Sequence, residues 1–232
     1  MSDANYFELR NVNPETYSDY KLPVYLTEIL NDRKAFILDF GCGFGQMILA
    51  LKSSGFINVE GADINSLAIE ILRTHQITTH NLSTDTDFYK ENCEKFDFII
   101  MSHVLEHIPK NEIISTLTLV RTLLKSTGSL VVMVPNAQSN TGAYWAHEDF
   151  THHLLFTSGS LHYVLKSADF SIVSFLDVDC LSGYTGIKKF VKKFFLTLYK
   201  FNYHFWNKVT SSSFHKESSQ IFSYEIKALA RK

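Results

Sequence analysis

Three glycines at alternate positions, Gly41-Cys42-Gly43-Phe44-Gly45, follow directly on an apolar run that contains one acid, Ala35-Phe36-Ile37-Leu38-Asp39-Phe40. The run reads as a buried strand. After the glycines, Met47, Ile48, Ala50 and Leu51 keep helical spacing, and Ser54-Gly55 supplies a stop. Strand, glycine turn and helix together let a ligand approach the main chain. Glycine has no Cβ in the way and accepts positive φ, and the first helical turn offers free N–H groups.

The glycine spacing separates two cofactor classes. Dinucleotide-binding turns run G-x-G-x-x-G, which would put a third glycine where this chain has Gln46. Here the pattern is G-x-G-x-G behind an acid. The string Asp39 to Gly45 resembles the first motif of the class I S-adenosylmethionine-dependent methyltransferases. Phe96-Asp97-Phe98-Ile99, followed by Val104-Leu105-Glu106-His107-Ile108, resembles the fourth motif of the same superfamily, and the likeness extends over residues 20 to 180. It implies a Rossmann-like, doubly wound α/β sheet of seven strands with the last one antiparallel. It also implies a site for S-adenosylmethionine built from Asp39, Gly41, Cys42, Gly43 and Gly45, with Ile64, Asn81, Leu82, Ser102 and His103 around it. Asp63 ends a second strand, 58–63, about 20 residues past the glycines, where a ribose-binding carboxylate is expected. A carboxylate can accept from both hydroxyls of a diol, and Asn65 and Ser66 are at hand to cap the next helix instead.

The remaining segments fit the same plan. A short third strand is expected at 77–80, with Asn81 and Leu82 (or Asp85) at the adenine edge. A fourth strand at 96–101 is nearly all apolar, as for a central parallel strand. A helix with Ile113, Ile114, Leu117, Val120 and Leu124 on one face comes next, and a fifth strand at 129–134. Residues 220–230 alternate enough to close the sheet as an antiparallel edge strand. Two domains are read. A helical leader, 1–34, has Pro23 in the first turn of a helix and Tyr6, Phe7, Tyr17 and Tyr20 before it; it either folds over the site or packs on the body. The methyltransferase domain, 35–232, includes a helical insertion at 182–219. Within that insertion, 186–209 combines Ile187, Phe190, Val191, Phe194, Phe195 and Leu198 with Lys188, Lys189, Lys192 and Lys193 in a basic amphipathic helix. Packing on the domain or a second subunit, a lid, and docking on an anionic membrane compete as its role.

Composition narrows the partners. The chain has 232 residues, 45% of them hydrophobic, enough for one core. A net charge of −2, with no strongly basic stretch outside 188–208, argues against nucleic acid. Three scattered cysteines fit a reduced compartment, and Cys42 reads as a small residue of the turn. No basic-then-apolar leader and no run of ~18 apolar residues is present. The expected location is the cytoplasm, at the inner face of the membrane if 186–209 docks there.

Ten histidines fall unevenly. His103, Glu106 and His107 follow the fourth strand, and His147, Glu148, Asp149, His152 and His153 follow the fifth. Both groups leave the carboxyl ends of strands, where open α/β sheets bind ligands. Two chemistries are open. His103 or His152, with Asp149 beside it, can act as the base that takes a hydroxyl proton. Alternatively His103, Glu106, His107 and His152 hold a divalent metal that lowers the hydroxyl pKa. The second pattern is similar to E-x-x-E-H followed by H-x-F-x-[WF]-[ST] of small-RNA 2′-O-methyltransferases. Here it reads His103-x-x-Glu106-His107, then His152-x-Leu154-x-Phe156-Thr157; the ubiquinone-pathway O-methyltransferases carry a similar E-x-x-E-H. Residues 145–158 look like those of bacterial surface-polysaccharide and secondary-metabolite methyltransferases. That resemblance implies a small-molecule acceptor, a sugar or sugar-nucleotide hydroxyl in polysaccharide biosynthesis. An RNA 2′-hydroxyl, a quinone-pathway acceptor and a catalytically silent cofactor-binding subunit are the alternatives. An NAD-dependent oxidoreductase is opposed by Gln46 and the V-L-E-H loop.

Overall fold

A computed structural model describes residues 6–17, 19–213 and 220–232. Residues 1–5, Ser18, the end of the 182–219 segment and the side chains of Tyr6, Thr16 and Tyr17 lie outside the description. Among the described residues seven strands form one sheet: β1 (Ile37–Phe40), β2 (Val59–Asp63), β3 (Thr79–Asn81), β4 (Phe96–Ser102), β5 (Leu124–Pro135), β6 (Ile172–Phe175) and β7 (Glu225–Arg231). Their order is β3-β2-β1-β4-β5-β7-β6. The first five are parallel neighbours, and β7 runs antiparallel to both β5 and β6. This is the order reversal beside β1 that opens a ligand crevice at the carboxyl ends of parallel strands.

Two expectations about strands need correction. β7 is antiparallel but not at the edge: it lies between β5 and β6, and Glu225 to Ala228 are all buried. β5 starts at Leu124, expected as the end of a helix, and its pairing with β4 slips between Phe96 and Phe98. Gly128 allows that slip, because a Cβ there would come within 3.0 Å of the Lys125 and Phe96 carbonyl oxygens.

Side chains alternate across the sheet, as strand geometry requires. Leu38, Phe40, Ile99, Met101, Leu130 and Val132 face one layer, with Leu117 and Val120 of α6 (Ile113–Leu123) and Leu161 and Leu165 of α8 (Ser158–Ser167). Ile37, Ile100, Val131 and Met133 face the other. They meet Leu26 of α2 (Val24–Ile29), Met47, Ile48 and Leu51 of α3 (Gln46–Ser53), and Ile69 and Leu72 of α4 (Ser66–Thr74). The leader therefore contributes core through α2, where Pro23 is the N-cap. Each fully buried Leu or Ile contributes about 1.5–3 kcal/mol. The shorter helices are α1 (Tyr6–Leu9), α5 (Phe88–Glu91) and α7 (Gly142–Glu148). α9 spans Gly186–Val209, the boundaries expected from sequence, and each of its residues keeps some exposure to solvent. No helix among the described residues is long and apolar enough to cross a membrane.

Candidate active site

The glycine turn is folded around backbone needs. Gly41, Gly43 and Gly45 have φ of 81°, 49° and 82°. A Cβ on Gly41 would lie 2.3 Å from Val104 Cγ2, and one on Gly45 would lie 2.4 Å from Leu72 Cδ2. Gly41 thus lets the loop after β4 close over the turn, whereas Gly45 seats α3 against α4. Gly45 was expected among the donor contacts; its constraint is helix packing.

Asp63, at the end of β2, is aimed by the main chain. The Gly43 N–H donates to Oδ2 and the Asn65 N–H to Oδ1, both at 2.8 Å. Asn65 itself caps α4, accepting from the Ala68 N–H. Asp39 is 2% exposed. Burial and the Asp63 carboxylate push its pKa up to about 8. The Cys42 thiol is likewise pushed up, by burial first and then by Asp39 and Asp63, so it stays protonated as a small neutral side chain.

Two cavities meet at this turn. The smaller, about 390 Å³, is lined by Asp63, Ile64, Leu82, Tyr89, Val104 and Ile108. The larger, about 600 Å³, is lined by Asp39, Cys42, Gln46, Ser102, Trp145 and Tyr224 among others. Gly41, His103 and His107 border both. Asn81, expected at the adenine edge, is turned away: its Nδ2 donates to Ser66 Oγ, and its Oδ1 accepts from the Ser83 N–H and hydroxyl.

The histidine groups converge on the larger cavity in part. His103 sits at φ 56°, a left-handed conformation costly for a residue with a Cβ. Its Nδ1 lies 3.1 Å from Glu106 Oε1 and its Nε2 3.0 Å from Glu225 Oε2. Burial opposes charge on this ring, but the two carboxylates outweigh it and hold the pKa up at about 10. At neutral pH both nitrogens carry protons, and neither has a lone pair for a substrate proton or a metal. That corrects the expectation of His103 as base and as metal ligand.

Glu106, His107 and His152 form the cluster instead. One donor atom of each lies within 4.8 Å of the others. Glu106 is fully buried, and its Oε2 has no hydrogen-bond partner among the described residues. The Thr151 hydroxyl donates to Asp149 Oδ1 at 2.6 Å, so it accepts from His107 Nδ1 at 2.8 Å. Burial, with some help from His152, holds His107 below the usual imidazole range against the pull of Glu106. His107 is then neutral at pH 7, with its lone pair on Nε2. His152 Nδ1 donates to the Trp145 carbonyl at 2.7 Å. In the neutral ring its lone pair is also on Nε2, 3.8 Å from Asp149 Oδ2. The two rings meet edge to face at 4.7 Å. Two imidazoles and a carboxylate suit a transition metal or zinc. His147, Glu148 and His153 do not line the cavity.

Several lining residues were not singled out from sequence. Arg10 forms an ion pair with Asp149 at 2.7 Å. Tyr25 comes from the leader, as does Tyr20, which the sequence marks among the leader aromatics, and Glu225 and Lys227 come from β7. β7 reaches the site because it is antiparallel: Glu225 pairs with Pro135, at the carboxyl end of β5. The Tyr224 phenol, half exposed beside Glu225, has its pKa raised to about 12 by partial desolvation and the Glu225 charge, and remains a donor.

Comparison with known proteins agrees with this layout. A family model described as a methyltransferase domain matches residues 15–175. A ubiquinone biosynthesis O-methyltransferase of Glaesserella parasuis is 35% identical over 109 residues, 43% of this chain and 45% of that protein. One from Haemophilus ducreyi is 32% identical over 109 residues, with the same coverage. The chain thus matches less than half the length of these curated relatives. Among solved structures, a SAM-dependent methyltransferase from Archaeoglobus fulgidus has a TM-score of 0.66 at 18% identity, covering 98% of both chains. A possible histamine N-methyltransferase from Thermotoga maritima has a TM-score of 0.61 at 15% identity, covering both chains fully. At those identities the likeness is one of fold.

Proposed function

The chain belongs to the class I S-adenosylmethionine-dependent methyltransferases, and from that premise we propose that it methylates a hydroxyl of a small, polar, ring-shaped acceptor bound in the larger cavity. The carrying observation is the convergence of Glu106, His107 and His152 within 4.8 Å of one another beside the glycine turn.

The donor fits the paired cavities. Asp63 would take the ribose diol, and Ile64 and Leu82 would flank the adenine. Asp39 and the 41–43 backbone would face the cationic methionine end. Bound there, S-adenosylmethionine supplies both the methyl group and its own leaving group. The protein's part is alignment and proton removal. A neutral hydroxyl needs a base, and a His107 or His152 Nε2 lone pair provides one. Asp149 holds His107 in that tautomer through Thr151. His103, pinned between Glu106 and Glu225, is a positioning residue. A divalent transition metal or zinc fits the same three donors, Glu106, His107 and His152. It would lower the pKa of a hydroxyl bound to it.

Tyr20, Tyr25, Trp145 and Tyr224 supply ring faces, and Arg10, Asp149 and Glu225 supply hydrogen-bonding groups. A sugar or sugar-nucleotide hydroxyl suits this mixed lining. An aromatic hydroxyl is the second reading, favoured by the curated relatives' role in ubiquinone biosynthesis. The test is methyl transfer from labelled donor to a panel of sugar nucleotides and dihydroxyphenols, with and without chelator, plus metal analysis of the protein. Labelled ether product supports the proposal, and loss of activity on chelation assigns the cluster to a metal. Labelling of amines or carboxylates alone would overturn it.

A further inference from the structure

We infer that the outer face of α9 docks on the surface of an anionic lipid bilayer. Ile187, Phe190, Phe194, Leu198, Phe201 and Phe205 recur every three or four positions, so they share one stripe of the helix. The stripe points to water: Ile187 is 79% exposed, and Phe190 and Phe201 are each 72% exposed. The opposite side is the one fastened to the body. There Tyr199 donates to Asn140 Oδ1, Lys200 pairs with Asp179, and the Tyr203 ring lies 4.6 Å from that of Phe222. A contiguous apolar stripe of this length, about 27 Å from Ile187 to Phe205 at about 1.5 Å per residue, is far larger than scattered surface apolars.

Charge identifies what covers it. The helix carries six lysines and no acid, within a chain of net charge −2. Lys188 and Lys193 flank the stripe on opposite sides. A second copy laid on the same face would bring lysine against lysine with no carboxylate on either helix. An anionic headgroup layer satisfies the lysines that flank the stripe, and the acyl boundary beneath it takes the phenylalanines. The helix then lies in the interface, since it is not apolar enough to cross. Its inner face packs on Phe222, two residues before Tyr224 of the large cavity, so docking sets the orientation of the site toward the membrane surface.

The experiment is co-sedimentation of the full chain with phosphatidylcholine vesicles, with and without phosphatidylglycerol, alongside sedimentation velocity without lipid. Binding confined to the anionic vesicles and weakening with salt supports docking. A Lys188→Gln/Lys193→Gln pair should then bind about 25-fold more weakly, at roughly fivefold per lysine. A Phe190→Ser/Phe201→Ser pair should lose most of its binding while retaining donor affinity. These side chains project into solvent, so the fold does not depend on them. Absence of binding to anionic vesicles overturns the inference. So does a wild-type dimer that the phenylalanine pair converts to monomer with lipid binding unaffected. Neither result bears on the proposed reaction, which rests on other residues.

Discussion

His103 Nε2 lies 3.0 Å from Glu225 Oε2, bridging 122 positions of sequence. The contact ties the loop after β4 to the first residue of β7. Glu106 holds the other ring nitrogen through Oε1, so one imidazolium orients two carboxylates, and Glu106 keeps an oxygen, Oε2, without a hydrogen-bond partner among the described residues.

Replacing Glu225 with Gln removes one of the two charges that raise the His103 pKa. His103 should then titrate well below its native value of about 10, observable in imidazole proton–carbon NMR spectra. Stability should respond with the matching sign. A raised histidine pKa stabilises fully below the unfolded value of about 6.5 and loses that contribution as pH climbs through 10. Wild type should therefore soften between those limits, and Glu225→Gln should soften less.

Asp39 couples donor binding to protons. Its pKa of about 8 in the free protein should fall when a cation binds beside it. Calorimetry in buffers of different ionisation enthalpy should show proton release near pH 8, with affinity increasing as pH rises through that value. The same group makes the free protein less stable as pH goes from 3.8 to about 8, because the native state holds the extra proton. Asp39→Asn should raise stability at pH 8 by on the order of 1–3 kcal/mol and weaken donor binding.

Much of this was legible from the chain. The glycine turn, Asp63, the V-L-E-H loop and the 186–209 helix are local patterns, and local patterns survive folding. Glu225 and Arg10 were not legible, because their place depends on strand polarity and on how the leader closes. The buried run Glu225–Ala228 also disguised β7 as an edge strand, its two charged members being paired inside. Asn81 was misread because its side chain satisfies its own turn, a common use of Asn. His103 was misread because a histidine's ordinary pKa says nothing of two carboxylates that arrive from distant segments.

Asp63→Ala should remove the diol acceptor and leave the Gly43 and Asn65 N–H groups without their shared carboxylate. S-adenosylhomocysteine affinity should fall by about 10- to 100-fold, from loss of a charge-assisted contact of about 1.5–3 kcal/mol. Isothermal titration measures it. Asp63→Asn should retain part of the affinity.

The pH–rate profile should reflect His107. Burial keeps it neutral to lower pH than a free imidazole. The acid limb of single-turnover methyl transfer should therefore lie below pH 6.5, and Thr151→Val should shift it, since Thr151 links His107 to Asp149.

The account stands most directly on single-turnover transfer by His152→Ala at saturating donor and acceptor. It predicts a rate lowered by about 10²–10⁴-fold, with S-adenosylhomocysteine affinity unchanged. Transfer at the wild-type rate by a folded, donor-binding His152→Ala protein would contradict the role given to the Glu106–His107–His152 cluster.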